Sequence, residues 1–118
     1  MGLVDLTYLK EMSDGSNELI IEMIEIFKEQ YPEFKNDFKT HLKNKDNQAL
    51  ASLAHKAKSS LAIMGLNELA NDIKTLEALA KEEKEVETYK NYVNKFILVC
   101  EKALIEFDEI IKKLSKRS

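Results

Sequence analysis

The sequence predicts an all-α fold: an up-down antiparallel four-helix bundle with a short extra N-terminal helical segment. Apolar residues recur at steps of three and four over long stretches, and no segment alternates with a period of two over the length of a strand. The composition agrees, with 44% hydrophobic and 33% charged residues, one proline and three glycines. Four amphipathic helices joined by short turns bury their apolar faces most simply in such a bundle.

The first helices are predicted from a turn, a helix cap and an apolar seam. A short segment from about Leu6 to Met12 precedes "SDGS", in which Gly15 and Ser16 indicate a turn followed by an N-cap. Pro32 has no backbone donor and clashes one turn back, so it predicts a kink or a fresh helix start with Pro32 in the first turn. Apolar residues recur along this segment at Ile20, Ile24, Phe27, Tyr31, Phe34 and Phe38.

Three further helices are predicted downstream. Asp46 in the polar turn "KNKDN" is the natural N-cap of a helix from about residue 47 to Met64, and Gly65 is its left-handed C-terminal stop. The next helix precedes the charged "KEEKE" and has an apolar stripe at Leu66, Leu69, Ala70, Ile73, Leu76 and Leu79. The last helix has a seam at Tyr89, Val93, Phe96, Cys100, Ala103, Phe107, Ile110 and Leu114. We expect residues 1–118 to form a single domain.

The composition argues against several classes of function. Cys100 is the only cysteine, which excludes an internal disulfide and leaves no ordinary set of zinc ligands. A net charge of −3, with lysines and glutamates interleaved, argues against nucleic acid as the partner. No stretch approaches the roughly 20 apolar residues of a membrane helix, and the N-terminus lacks the features of a signal peptide. We expect a cytoplasmic monomer that binds neither nucleic acid nor a membrane.

His55 is the candidate functional residue, in the stretch "LAHKAKSSLAIMG". At about 100° per residue it lies about 140° from the centre of its helix's apolar stripe, which predicts that it faces solvent. Its predicted neighbours on that face are small apart from one lysine: Ala51, Ser52, Lys58, Ser59 and Ala62. Exposed helix faces usually carry long side chains, so this face leaves the ring open to a partner. The alternative is a surface histidine without a function.

Lys58 lies next to His55 on the helix surface, because residues three apart are neighbours. Its cation can neutralise a phosphoryl group attached to the imidazole. An imidazole is largely neutral at pH 7 and can attack a phosphoryl centre without a dedicated base. The pair could therefore hold phosphohistidine, although this spacing alone is not specific. His41 has no such surroundings and is expected to be an ordinary surface residue.

Residues 54–77, "AHKAKSSLAIMGLNELANDIKTLE", resemble the core motif of the histidine-containing phosphotransfer (HPt) domains of multistep two-component phosphorelays. That motif has a histidine, a lysine three residues on, usually glycine next, small residues, a glycine ten residues after the histidine, and a helix rich in leucine and alanine. The matching positions are His55, Lys58, Ser60, Gly65, Leu69, Ala70 and Leu76. Ser59 stands where the family commonly has glycine. The resemblance covers residues 1 to about 80, and the last helix matches only in pattern.

The resemblance implies that His55 accepts a phosphoryl group from the aspartyl phosphate of one receiver domain and passes it to another. Lys58 would stabilise the phosphoryl charge, and Glu77 would hydrogen-bond Nδ1 of His55 and leave Nε2 free as the nucleophile. The implied partners are receiver domains of response regulators and hybrid histidine kinases. They would contact Ala51, Ser52, Ser59 and Ala62, with contributions near Leu6, Tyr8 and Leu9. Mg²⁺ would belong to the receiver, so neither a cofactor nor ATP-dependent kinase activity is expected here.

Other interpretations stay open from the sequence alone. A helical-bundle adaptor, or a degenerate HPt domain, would bind receiver or kinase domains without exchanging phosphate, and Ser59 is its best support. A four-helix metal carrier is a further class, but no Glu-x-x-His pair projects inward from a seam. Glu77 could also be a solvated glutamate on a charged helix.

Overall fold

The computed structural model of the protein describes residues 4–115 and is almost entirely helical. Its elements are, in chain order, α1 (Thr7–Met12), α2 (Asn17–Asn44), α3 (Asn47–Ile63), α4 (Asn67–Glu82), a 3-10 turn (Val86–Thr88) and α5 (Tyr89–Ser115). Helices α2 to α5 form the bundle and α1 is the extra N-terminal segment, so the predicted fold class is confirmed. Across residues 4–115, no helix is both long and apolar enough to cross a membrane.

The four bundle helices are neighbours in chain order. Helix α2 contacts α3 and α5, and α4 also contacts α3 and α5. Helices α2 and α5 have 28 and 27 residues, whereas α3 and α4 have only 17 and 16. The long pair therefore extends beyond the short pair, in a molecule 49 Å long and 23 by 21 Å across.

The core is built from the predicted seams. All six seam residues of α2 are buried, as are the first six of α5, while Ile110 and Leu114 are half-buried. Aromatic rings join the two long helices: Phe96 of α5 lies 4.9 Å from Phe38 between ring centroids, and Phe27 lies 5.8 Å from Phe107. Cys100 is buried among them, where desolvation raises the pKa of its thiol to about 12. It is the small buried hydrophobe that the sequence predicts.

Two helix starts follow the prediction and one does not. The side chains of Ser16 and Asp46 accept hydrogen bonds from backbone N–H groups in the first turns of α2 and α3. Pro32, however, lies inside α2, which continues to Asn44, so of the two predicted alternatives the fresh helix start is wrong. The neighbouring Tyr31 and Phe34 are buried against Phe96 of α5. Their packing keeps the helix continuous although proline removes one backbone hydrogen bond.

Gly65 ends α3 in the left-handed conformation, with φ of +77°, as predicted. Its carbonyl oxygen accepts a 3.0 Å hydrogen bond from the backbone N–H of Asp5, which fastens the segment before α1 onto the turn between α3 and α4. A Cβ at position 65 would overlap the carbonyl oxygen of Asp5. The turn that sets α4 against α3 therefore requires glycine.

We predict that Gly65→Ala destabilises the protein more than Gly15→Ala. Both glycines have φ of +77°, and the left-handed backbone costs alanine about 1–2 kcal/mol at either position. At position 65 the new Cβ would also overlap Asp5, whereas a Cβ at position 15 meets nothing within 4 Å. Urea unfolding of the two variants measures the difference. Equal losses of unfolding free energy would contradict the close approach at Gly65.

Candidate functional site

His55 lies on the solvent-facing side of α3, as predicted, and 66% of its side chain is exposed. Ser52, Ser59 and Ala62 are exposed on the same helix. Ala51 is not: only 2% of it is exposed, so the expectation that it faces outward is wrong. Helix α4 packs closely on α3, and an angle calculated for one isolated helix does not include the position of its neighbour.

Glu77 of α4 is the residue that organises the site. Its Oε2 lies 2.9 Å from Nδ1 of His55, and its Oε1 accepts a 2.8 Å hydrogen bond from Nζ of Lys58. A second lysine, Lys81, places Nζ 3.4 Å from Oε2. Glu77 is only 6% exposed, which excludes the alternative of a solvated glutamate. The structure thus brings together the three residues predicted at the site, His55, Lys58 and Glu77.

The carboxylate of Glu77 is held in its charged form. Burial opposes ionisation, but the hydrogen bonds from Lys58 and His55 outweigh it, so the pKa of Glu77 lies below its usual value. An ionised carboxylate can only accept hydrogen bonds. Nδ1 of His55 therefore donates the hydrogen in this contact, which leaves the lone pair of a neutral imidazole on Nε2.

Depressions flank the His55 face of α3 on two sides. Toward α4 a shallow depression of about 290 Å³ is lined by Gln48, Ala51, Ser52, His55, Glu77 and Lys81. Toward α2 a smaller and mainly apolar depression of about 140 Å³ is lined by residues that include Met23, Ile26, Ser60 and Ile63. In that second depression the hydroxyl of Ser60 lies 3.3 Å from Oε1 of Gln30. His55 itself lines the polar depression, whereas the apolar one is lined by residues nearer the end of α3.

The other residues considered in the sequence agree with their predicted positions only in part. Leu9 is fully buried, so it cannot contribute to a partner surface, whereas Tyr8 is exposed and Leu6 is half-buried. His41 is half-buried near the end of α2 rather than fully exposed. Lys81 was missed, although its spacing of four residues after Glu77 is a signal for a contact on a helix. Among residues 4–115, no three His, Cys, Asp or Glu side chains gather into a group that could hold a metal ion.

We predict that Glu77→Gln lowers the stability near neutral pH by about 1–3 kcal/mol, the usual cost of disrupting buried charged hydrogen bonds. Because the pKa of Glu77 is depressed below its usual 4.5, its contribution is present above that pH and is lost as the pH falls through the lower, folded-state pKa. The difference in unfolding free energy between the wild type and the variant should therefore become smaller in acid. Urea unfolding at pH 7 and pH 3 checks this, with Glu82→Gln as a control for loss of an exposed carboxylate. A difference independent of pH would contradict it.

The model of the Hpt domain family matches residues 22–114, which is most of the chain and includes His55, Lys58 and Glu77. Searches of curated proteins and of solved structures return no match. Hpt domains are phosphocarriers, not kinases, and interact with receiver domains in two-component systems. With a match over this length, the chain belongs to the Hpt domain family, whose members serve histidine phosphotransfer in phosphorelays.

Proposed function

We propose that this protein is a phosphorelay intermediate that takes a phosphoryl group from the aspartyl phosphate of one receiver domain onto His55 and passes it to a second receiver. The observation that carries the proposal is an exposed imidazole whose Nδ1 lies 2.9 Å from a buried carboxylate. A partner can reach the ring, while its orientation is fixed from within the bundle.

In the first transfer, Nε2 of His55 attacks phosphorus in line with the bond to the receiver's aspartate. The new N–P bond forms as the P–O bond breaks, and the aspartate leaves as a carboxylate. The hydrogen on Nδ1 stays on the ring, which becomes positively charged, and the adjacent Glu77 carboxylate compensates that charge. The second transfer reverses these changes. Mg²⁺ would be supplied by the receiver, and this chain contributes the nucleophile, its orientation and a cation.

Lys58 is the cation that we assign to the phosphoryl charge. Its side chain is 27% exposed, and its bond to Oε1 of Glu77 holds Nζ on the same carboxylate that orients the ring. A lysine restrained in this way is already ordered on the carboxylate that contacts the ring, so it loses little conformational freedom when it binds a phosphoryl group on Nε2.

Ser59, at the position where the family commonly has glycine, does not obstruct the ring. Its hydroxyl lies 3.5 Å from the backbone carbonyl oxygen of His55, one helical turn back, so the side chain is folded against its own helix. This geometry supports access of a partner to Nε2. It also weakens the chief argument for an adaptor that binds receivers without exchanging phosphate.

We place the receiver over the exposed residues Ser52, Ser59 and Ala62, with Ala51 below them as part of the depression floor. The apolar depression between α2 and α3 continues this surface, and the exposed Ile26 lies at it. A docking surface with a reactive ring between polar and apolar patches suits a folded domain, since buried apolar area gives affinity and polar groups fix the register.

The decisive experiment is phosphotransfer from a phosphorylated receiver. We predict acid-labile, base-stable label on the wild-type protein and none on His55→Gln. His41→Gln is the matched control, because it removes the other histidine of the chain and should leave the label unchanged. Label that persists in His55→Gln would refute the assignment, and absence of label with every receiver of the host would favour the adaptor.

Lys58→Ala should slow transfer about 10- to 150-fold, since hydrogen bonds to charged groups are worth about 1.5–3 kcal/mol. Lys58→Arg, which keeps the positive charge, should retain most of the rate. Lys56→Ala is the control on α3: it removes an exposed lysine next in sequence to His55 but about 100° around the helix. Rapid-quench measurement of the transfer rate compares the three variants. Equal slowing by Lys56→Ala and Lys58→Ala would remove Lys58 from a specific role.

A further inference from the structure

Lys81 shares an oxygen of Glu77 with the imidazole of His55. Its Nζ lies 3.4 Å from Oε2, the same oxygen that lies 2.9 Å from Nδ1. Lys58 contacts the other oxygen, Oε1. Nζ of Lys81 and Nδ1 of His55 are therefore separated by no more than the sum of these two distances. Both residues line the depression between α3 and α4.

The two lysines differ in how firmly they are held. Lys58 is mostly buried and bonds Glu77 at 2.8 Å, whereas the side chain of Lys81 is 64% exposed and its contact is 0.6 Å longer. A long exposed lysine changes its rotamer at little cost, because an exposed ion pair contributes little free energy. Lys81 can therefore leave Glu77 more readily than Lys58 can.

The depression beside Lys81 also contains groups that suit an anion. Ser52 supplies a hydroxyl, and Gln48 supplies an amide whose Nε2 donates to the backbone carbonyl oxygen of Lys81 at 3.3 Å. That bond joins the start of α3 to the end of α4 at the position from which the Lys81 side chain extends. The base of Lys81 is thus fixed while its amino group can move.

From this geometry we propose that Lys81 is a second phosphoryl-binding residue, which moves from Oε2 of Glu77 onto the phosphoryl oxygens when His55 is phosphorylated at Nε2. The proposal rests on the proposed function of His55 as phosphoacceptor. It assigns Lys81 to the phosphorylated state, beside Lys58, and gives the depression between α3 and α4 a role as the space in which the phosphoryl group and the lysine meet.

A cation at this place should slow the spontaneous loss of phosphate. Phosphoryl transfer passes through a loose transition state, in which charge moves from the phosphoryl oxygens onto the leaving nitrogen. Lys81 would stabilise the oxygens of intact phosphohistidine more than those of the transition state. Removal of the lysine should therefore shorten the lifetime of phospho-His55.

The test loads the full chain chemically with phosphoramidate, so that it does not depend on a cognate receiver. Nε2 of His55 attacks phosphorus, the N–P bond of the reagent breaks and ammonia leaves. The first-order loss of phosphohistidine is then followed by ³¹P NMR for wild type, Lys81→Ala, Lys81→Arg and the control Lys84→Ala. Lys84 is a matched control because its side chain has a similar exposure, 68%, and it contacts only Glu82 among the ion pairs of residues 4–115.

We expect phosphohistidine to be lost about two- to fivefold faster in Lys81→Ala than in the wild type. This is the size of effect expected when one exposed ion pair is removed. Lys81→Arg and Lys84→Ala should keep the wild-type lifetime. In about 1 M salt the difference should shrink, since screening weakens exposed charge contacts, whereas a purely structural effect would persist. Circular dichroism melting curves verify that the variants are folded.

The role of Lys81 would be overturned by an unchanged lifetime of phosphohistidine in Lys81→Ala, or by an equally shortened lifetime in Lys84→Ala. Either result would leave the function of His55 standing. A salt-independent difference would overturn it as well, because it would mark a packing effect. Failure to load His55 itself, seen as equal labelling of wild type and His55→Gln, would overturn the proposed function and with it the role of Lys81.

Discussion

The site depends on one buried carboxylate. Glu77 reaches from α4 to α3, where it contacts a ring nitrogen of His55 and the amino groups of Lys58 and Lys81. A charged carboxylate that is only 6% exposed needs such partners, because desolvation opposes its ionisation. The same contacts that keep Glu77 ionised therefore fix the ring, and stability and orientation of the site have a common origin.

The contact between Glu77 and His55 requires α3 and α4 to lie close together along much of their length. They are joined by a short turn in which Gly65 adopts a backbone conformation that other residues avoid, and Asp5 closes over it. Small residues such as Ala51, Ala54 and Ala57 are buried along α3. Their size lets α4 approach closely enough for Glu77 to reach the ring. The long helices α2 and α5 form the opposite side of the bundle and carry its aromatic core.

Most of the fold could be predicted from the sequence because its signals are local. A capping side chain such as Asp46 acts within its own first turn, and the seam of α2 follows from the period of one helix. The errors concern contacts between helices. Ala51 is covered by α4, and helix packing holds Pro32 inside α2, so neither outcome could be read from one helix alone. At the site, the exposure of His55 follows from periodicity, whereas Glu77 was identified only through a family resemblance and Lys81 was missed.

The charges around His55 attract a phosphorylated partner more strongly before the proposed transfer than after it. Lys58 and Lys81 place two positive charges beside the single negative charge of Glu77, so these three groups have one positive charge in excess. A phosphorylated partner is attracted to such a site. In the proposed phosphorylated state, a doubly charged phosphoryl group on a protonated ring would add one net negative charge and bring the site to neutrality. Under the proposed function, the reaction itself would therefore remove the attraction that assembles the complex, and the two domains would separate more easily once the phosphoryl group is on His55.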